Sequence, residues 1–60
     1  MMLPSEPNML LSFINLKLRD QYSSLEELCD DLDLGYDDIL SQLKNSGIYY
    51  DSETNQLKFK

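Results

Sequence analysis

The sequence contains no histidine and a single cysteine, Cys29, among its 60 residues. One cysteine excludes an internal disulfide, and without histidine the chain lacks the usual ligands of a zinc site. A domain of this size buries only about 60% of the surface that its unfolded chain exposes, so its stability is small. Dense apolar packing, or association with another chain, must therefore replace the disulfides and metals that stabilise other small domains.

Long apolar segments are also missing. Four polar or charged residues interrupt the apolar run near the N-terminus: Ser12, Asn15, Lys17 and Arg19. The run therefore falls short of the ~20 residues that cross a bilayer, and no basic segment precedes it as in a signal peptide. We expect no membrane association, and the lone Cys29 suits a reducing, cytoplasmic location.

Basic residues are few, because 5 lysines and arginines stand against 11 acidic residues and the net charge is -6. The stretch from Asp20 to Asp38 contains only acidic charges, which are Asp20, Glu26, Glu27, Asp30, Asp31, Asp33, Asp37 and Asp38. Such a run predicts a solvated face, with a docking surface for a basic partner as the alternative. One small domain, residues 1–60, accounts for the whole chain.

The first helix is predicted to begin at Pro7, where a missing N–H costs nothing, with Glu6 favoured by the helix dipole. Its polar residues fall within an arc of about 60° at 100° per residue: Asn8, Ser12, Asn15 and Arg19. Apolar residues spread over about 220°, which exceeds the stripe that a surface helix needs. We therefore expect this helix to be covered from more than one side, in part by self-association.

The polar stripe Asn8, Ser12, Asn15 and Arg19 is the candidate interaction site. Uncharged hydrogen-bonding side chains that end in an arginine can bind the backbone or a carboxylate of a partner. The alternative, which is favoured, is that the stripe is the solvent side of the helix, with Arg19 and Asp20 at its last turn.

Two further helices and a hairpin are predicted. Ser24 and Glu27 have the spacing of a capping box at the start of helix 2, whose apolar face is Leu25, Leu28, Cys29 and Leu32. Helix 3 should end near Ser46, because Gly47 and Ile48 form a stop signal, and it should face inward through Tyr36, Ile39, Leu40 and Leu43. The segments 48–50 and 56–59 flank a polar turn, in which Asn55 can take a positive φ, and Tyr50, Leu57 or Phe59 should pack on the helices.

A helix-turn-helix spacing is formed by Leu28, Cys29, Leu32, Leu34, Ile39 and Leu43, with Gly47 and Ile48 following. Over about residues 24–60 this pattern resembles the helix-turn-helix and wing of winged-helix proteins, although Asp33 stands where the turn often has glycine. The resemblance implies a mostly α fold, with a three-helix helix-turn-helix core and a C-terminal β-hairpin. For a nucleic-acid-binding regulator, Lys44, Lys58 and Lys60 would form the basic patch. Because Asp37 and Asp38 would then approach phosphates, we expect no useful DNA binding.

Almost the whole chain resembles the short bacterial proteins of domain-of-unknown-function family 4250. The likeness rests on Pro4 and Pro7, on an LLSFxNxKLRD-like helix over 10–20 and on the Tyr-Asp-x-x-x-Asn-Gln turn over 50–56. That family implies no established activity, substrate or partner.

No enzymatic chemistry is predicted from the residues. Adjacent carboxylates such as Asp30 and Asp31 diverge on a helix, and no calcium-loop spacing is present. Cys29 has no histidine to activate it and belongs to the apolar face, so we expect no catalytic, cofactor or metal site and no small-molecule substrate. The interpretation is a non-enzymatic protein-interaction module that forms a homodimer or binds an unidentified protein. The alternative is a winged-helix-like nucleic-acid-binding regulator.

Overall fold

The computed structural model describes residues 3–60 and confirms the predicted fold class. Three helices precede a two-stranded antiparallel hairpin: α1 (Pro7–Asp20), α2 (Leu25–Asp31), α3 (Tyr36–Asn45), β1 (Ile48–Asp51) and β2 (Gln56–Phe59). Met1 and Met2, which the predicted domain range includes, lie outside the described residues.

Side chains cap the starts of the first two helices. The two carboxylate oxygens of Glu6 accept hydrogen bonds from the backbone N–H groups of Asn8 and Met9 at 3.1 and 2.9 Å. Ser24 Oγ accepts from the Glu27 N–H at 3.1 Å, as the capping box predicts. The reciprocal bond that a capping box also predicts, from the Ser24 backbone N–H to the Glu27 carboxylate, does not form. The Glu27 carboxylate accepts from the Ser23 hydroxyl at 2.6 Å instead.

The turn between α2 and α3 forms although it lacks glycine. Asp33 adopts φ 58°, and the next residue, Leu34, donates its N–H to the Cys29 carbonyl at 2.8 Å, which closes the end of α2. Aspartate tolerates this left-handed conformation better than most side chains. At the end of α3 the predicted stop is confirmed, since Gly47 has φ 74° and its N–H binds the Lys44 carbonyl at 3.1 Å.

The core lies where α1, α2, α3 and the hairpin meet. Its buried residues are Leu10, Ile14, Leu18, Leu25, Leu28, Cys29, Ile39, Leu43, Ile48 and Leu57. The inward position predicted for Tyr36 is wrong, because this residue is 36% exposed. It is the first residue of α3 and lies at a groove beside β1 instead of in the core.

Candidate interaction surfaces

Asn15 joins α1 to the outer edge of β2. Its Oδ1 accepts the backbone N–H of Leu57 at 2.6 Å, and its Nδ2 donates to the Leu57 carbonyl at 3.0 Å. Leu57 lies opposite Tyr50 in the hairpin, and because its N–H and C=O both bind Asn15, they point away from β1. The amide of Asn15 therefore takes the place that a neighbouring strand would occupy.

Asn55 makes a second connection between α1 and the hairpin. Its Nδ2 donates to the carbonyls of Leu18 and Tyr22 at 3.2 and 3.1 Å, and its Oδ1 accepts the Tyr50 hydroxyl at 2.6 Å. The Leu18 carbonyl belongs to the last turn of α1, where backbone acceptors lack helical partners. Asn55 also has the predicted positive φ, 54°. We call Asn15 and Asn55 the asparagine clamp.

The four residues of the predicted interaction stripe differ in their surroundings. Asn8, Ser12 and Arg19 are exposed, whereas Asn15 is half-buried and bound to Leu57. Asn8 Nδ2 donates to Glu6 at 3.3 Å, and Arg19 forms an exposed ion pair with Asp20 at 3.1 Å. Asn15 thus has an intramolecular role, and an interaction role for the stripe stays a prediction.

An apolar row runs beside this stripe on α1. Met9 and Leu16 are 61% and 50% exposed, and the half-buried Phe13 lies between them in the helical repeat. Lys17 Nζ lies 5.7 Å from the centroid of the Phe13 ring, within the range of a cation–π contact. We call Met9, Phe13 and Leu16 the α1 seam.

A groove between α3 and β1 is the second exposed apolar surface. Its lining residues are Tyr36, Leu40, Leu43, Lys44, Ile48, Tyr49, Tyr50 and Lys60. Lys44 and Lys60 are the only charged side chains among them. The third lysine of the predicted basic patch, Lys58, instead donates to the Asp51 carboxylate at 2.9 Å. We call this surface the α3–β1 groove.

All eight acidic residues between Asp20 and Asp38 are exposed, as a solvated face requires. Within residues 3–60, no three acidic or cysteine side chains converge in a way that could hold a metal ion. The Cys29 side chain is 1% exposed, and burial raises the pKa of its thiol. A protonated, buried thiol is a core residue and a poor nucleophile.

Across the described part of the chain, no helix combines the length and the apolar character that crossing a membrane requires.

Comparisons with known proteins identify a family and no activity. No curated protein and no solved structure matches the chain. The family model described as Domain of unknown function (DUF4250) matches residues 4–57. The matched span includes the helix segment 10–20 and the turn 50–56, which contain the two asparagines of the clamp. The chain therefore belongs to the DUF4250 family.

Proposed function

We propose that this protein is a non-enzymatic protein-interaction module that self-associates through the α1 seam. The observation that carries the proposal is the exposure of Met9 and Leu16 on one flank of α1. With Phe13 they stand at positions i, i+4 and i+7, within an arc of about 60°. This narrow apolar strip has the spacing by which paired helices pack, so a second copy of α1 is its occupant.

The distribution of charge supports this choice of surface. Two copies of a chain with net charge -6 repel each other, and the acidic run exposes most of that charge on α2 and at the start of α3. The seam is bordered by uncharged Asn8 and Ser12 and by Lys17, while Asp20 is paired with Arg19. Two copies that meet at α1 therefore keep their carboxylates apart.

The non-enzymatic part of the proposal rests on the chemistry of the reactive groups. The one thiol is buried with a raised pKa, and the carboxylates of the acidic run are exposed to solvent. Catalytic acids and nucleophiles are usually activated by burial or by a charged neighbour in a cleft. We also propose a cytoplasmic location, in which a single free thiol such as Cys29 stays reduced.

Sedimentation equilibrium over a range of micromolar concentrations tests the proposal. We expect the wild-type protein to form a dimer that dissociates on dilution, since a seam of three residues is a small interface. The double variant Met9→Lys and Leu16→Lys should be monomeric throughout, because two desolvated lysines would face two more in the partner.

A matched control separates the seam from net charge. Ser41→Lys with Asn45→Lys adds the same two positive charges to exposed positions of α3 and should leave the dimer unchanged. Circular dichroism should show equal helicity in both variants, because all four positions are exposed. A wild-type protein that stays monomeric over the whole range would show that α1 does not mediate self-association.

A further inference from the structure

Within residues 3–60, no third strand pairs with the outer edge of β1. Leu57 directs its backbone N–H and C=O to Asn15 instead of to its opposite residue, Tyr50. Opposite residues of an antiparallel pair direct their backbone groups the same way, both toward each other or both outward, and this alternates along the ladder. The N–H and C=O of Tyr50 therefore point outward from β1. Those of Ile48, two residues earlier, do the same, but Ile48 is 1% exposed and its backbone is covered.

These outward groups have no partner within the described part of the chain. Neither the backbone hydrogen bonds that connect turns and elements nor the side-chain hydrogen bonds of residues 3–60 involve the N–H or C=O of Ile48 or Tyr50. The Tyr50 hydroxyl is used by Asn55, but its main chain is free. An extended segment laid along β1 would meet one donor and one acceptor, those of the half-buried Tyr50, because the groups of Ile48 are covered.

Beside this edge lies the α3–β1 groove, which offers apolar contacts to such a segment. Tyr36 and Leu40 come from α3 and Tyr50 from β1, and all three are at least partly exposed. When a peptide adds to a sheet edge, main-chain hydrogen bonds supply affinity and pockets for alternate side chains supply specificity. The groove is placed to receive every second side chain of the added strand.

The positive charge of the groove indicates which kind of segment would bind there. Lys44 and Lys60 line it, and no carboxylate side chain does, in a chain whose net charge is -6. A second copy that paired edge to edge about a two-fold axis would bring the same surface to itself and place lysines against lysines. An acidic segment of a different protein is the occupant that matches this charge.

We propose that the β1 edge binds an extended acidic segment of a partner protein as a third strand. The apolar side chains of the segment enter the α3–β1 groove, and its carboxylates lie near Lys44 and Lys60. No residue of the α1 seam lines this groove, so this binding and self-association through α1 are independent of each other.

Titration of the isotope-labelled protein with a blocked peptide of about six residues, alternating valine and glutamate, tests the proposal by nuclear magnetic resonance. We expect the amide exchange of Tyr50 to slow by at least about tenfold at saturation, because its N–H gains an acceptor. Tyr49 and Asp51 already face β2 in the ladder, so their exchange should change much less. This alternation distinguishes strand addition from general binding to the groove.

Two sets of variants examine charge and main chain separately. Lys44→Glu with Lys60→Glu should weaken peptide binding by about tenfold or more, since two attractions become repulsions. Lys17→Glu with Arg19→Glu makes the same change of net charge on α1 and should have little effect. Of two peptides N-methylated at odd or at even positions, one should lose binding and the other should keep it, because only alternate amides face β1.

Several outcomes would overturn the proposal. They are equal affinity for the charge-reversed groove, equal affinity for a valine–lysine peptide, and equal loss with both methylated peptides. An edge-to-edge dimer, or duplex DNA that protects the same amide in place of the peptide, would assign the edge to a different occupant. The variant Met9→Lys with Leu16→Lys should bind the peptide as the wild type does, so failure of either proposal leaves the other testable.

Discussion

The two edges of the hairpin are satisfied in different ways. On β2, the backbone N–H and C=O of Leu57 are both bound by the side chain of Asn15. On β1, the corresponding groups of Tyr50, the residue directly opposite, have no partner within residues 3–60. One helix side chain therefore does for β2 what a third strand would do, and nothing in the described chain does the same for β1.

This difference shows how a chain of 60 residues can hold a two-stranded sheet. An isolated hairpin is marginal in water, and its edges can pair with other chains. Here the asparagine clamp ties β2 and the turn to α1, while β1 is limited to four residues, Ile48–Asp51. Clamping one edge fixes the hairpin on the helices, whereas the backbone groups of Tyr50 on the other edge have no partner within residues 3–60.

The largest expected effect comes from removing the helical support of both edges. Leu28→Asp or Ile39→Asp would place an unpaired charge between α2 and α3, at residues that are 0% and 5% exposed. Burial of such a charge costs several kcal/mol, against a total stability of about 3 to 9 kcal/mol for a domain of this size. We expect both variants to be unfolded by circular dichroism. A cooperative melt in either one would contradict the assigned core.

A smaller but still large effect is expected at Asn55. Asn55→Ala removes three hydrogen bonds and leaves a residue other than glycine or asparagine at φ 54°. At roughly 1 kcal/mol for each bond, with about 1 kcal/mol of backbone strain added, urea denaturation should show a loss of about 4 kcal/mol.

Two control variants divide the loss at Asn55 into its parts. Asn55→Gly loses the same bonds but tolerates the left-handed backbone, so it should be about 1 kcal/mol more stable than the alanine variant. Tyr50→Phe removes only the bond between the tyrosine hydroxyl and Asn55, and it should cost about 1 kcal/mol. Wild-type stability in Asn55→Ala would mean that the clamp contributes nothing.

Asn15→Ala should make the β2 edge resemble the β1 edge. The loss of two part-buried hydrogen bonds to Leu57 should lower the free energy of unfolding by about 2 kcal/mol. The same variant should accelerate amide exchange of Leu57 in the native state until it is comparable with that of Tyr50. Ser12→Ala, at an exposed position one turn earlier, should change the free energy of unfolding by no more than about 0.5 kcal/mol. It should leave the amide exchange of Leu57 unchanged. Fast Leu57 exchange already in the wild type would contradict the clamped edge.

The helix boundaries were predictable because their signals are local. Pro7 occupies the first helical position, Ser24 caps α2 and Gly47 follows the end of α3, as their backbone preferences require. The hairpin was predictable for the same reason, since a polar turn separates two short apolar segments. Only neighbours along the chain need to be known for such features.

The clamp could not be predicted, because its partners are far apart in sequence. Asn15 and Leu57 are separated by 42 residues, and Asn55 and Leu18 by 37. The helical periodicity placed Asn15 among the exposed residues of α1. An asparagine whose side chain binds the backbone of β2 has the same hydropathy as one whose side chain faces water, so the pattern cannot separate them. The prediction for Tyr36 erred in the opposite sense: this residue was expected to be buried and is exposed, because an apolar residue in the first turn of α3 need not be covered.

The smallest expected effect concerns Asp51 and Lys58, whose side chains lie on the outer face of the hairpin and take no part in the contacts of either edge. The hydrogen bond from Lys58, followed by that from the Glu53 backbone N–H, lowers the pKa of Asp51 in the folded protein. A lowered folded pKa adds stability above the unfolded value, near pH 4, and this stability is lost as the pH falls through the folded pKa. Because both side chains are partly exposed, Asp51→Asn should cost little at neutral pH, and the difference from wild type should shrink below about pH 4.

Lys58→Met keeps the Glu53 bond, so it should remove only part of this pH dependence. A double-mutant cycle of the two changes, followed by urea denaturation at both pH values, measures the pair. A coupling as large as the loss in Asn15→Ala would mean that the outer face fixes the hairpin as firmly as the clamp does.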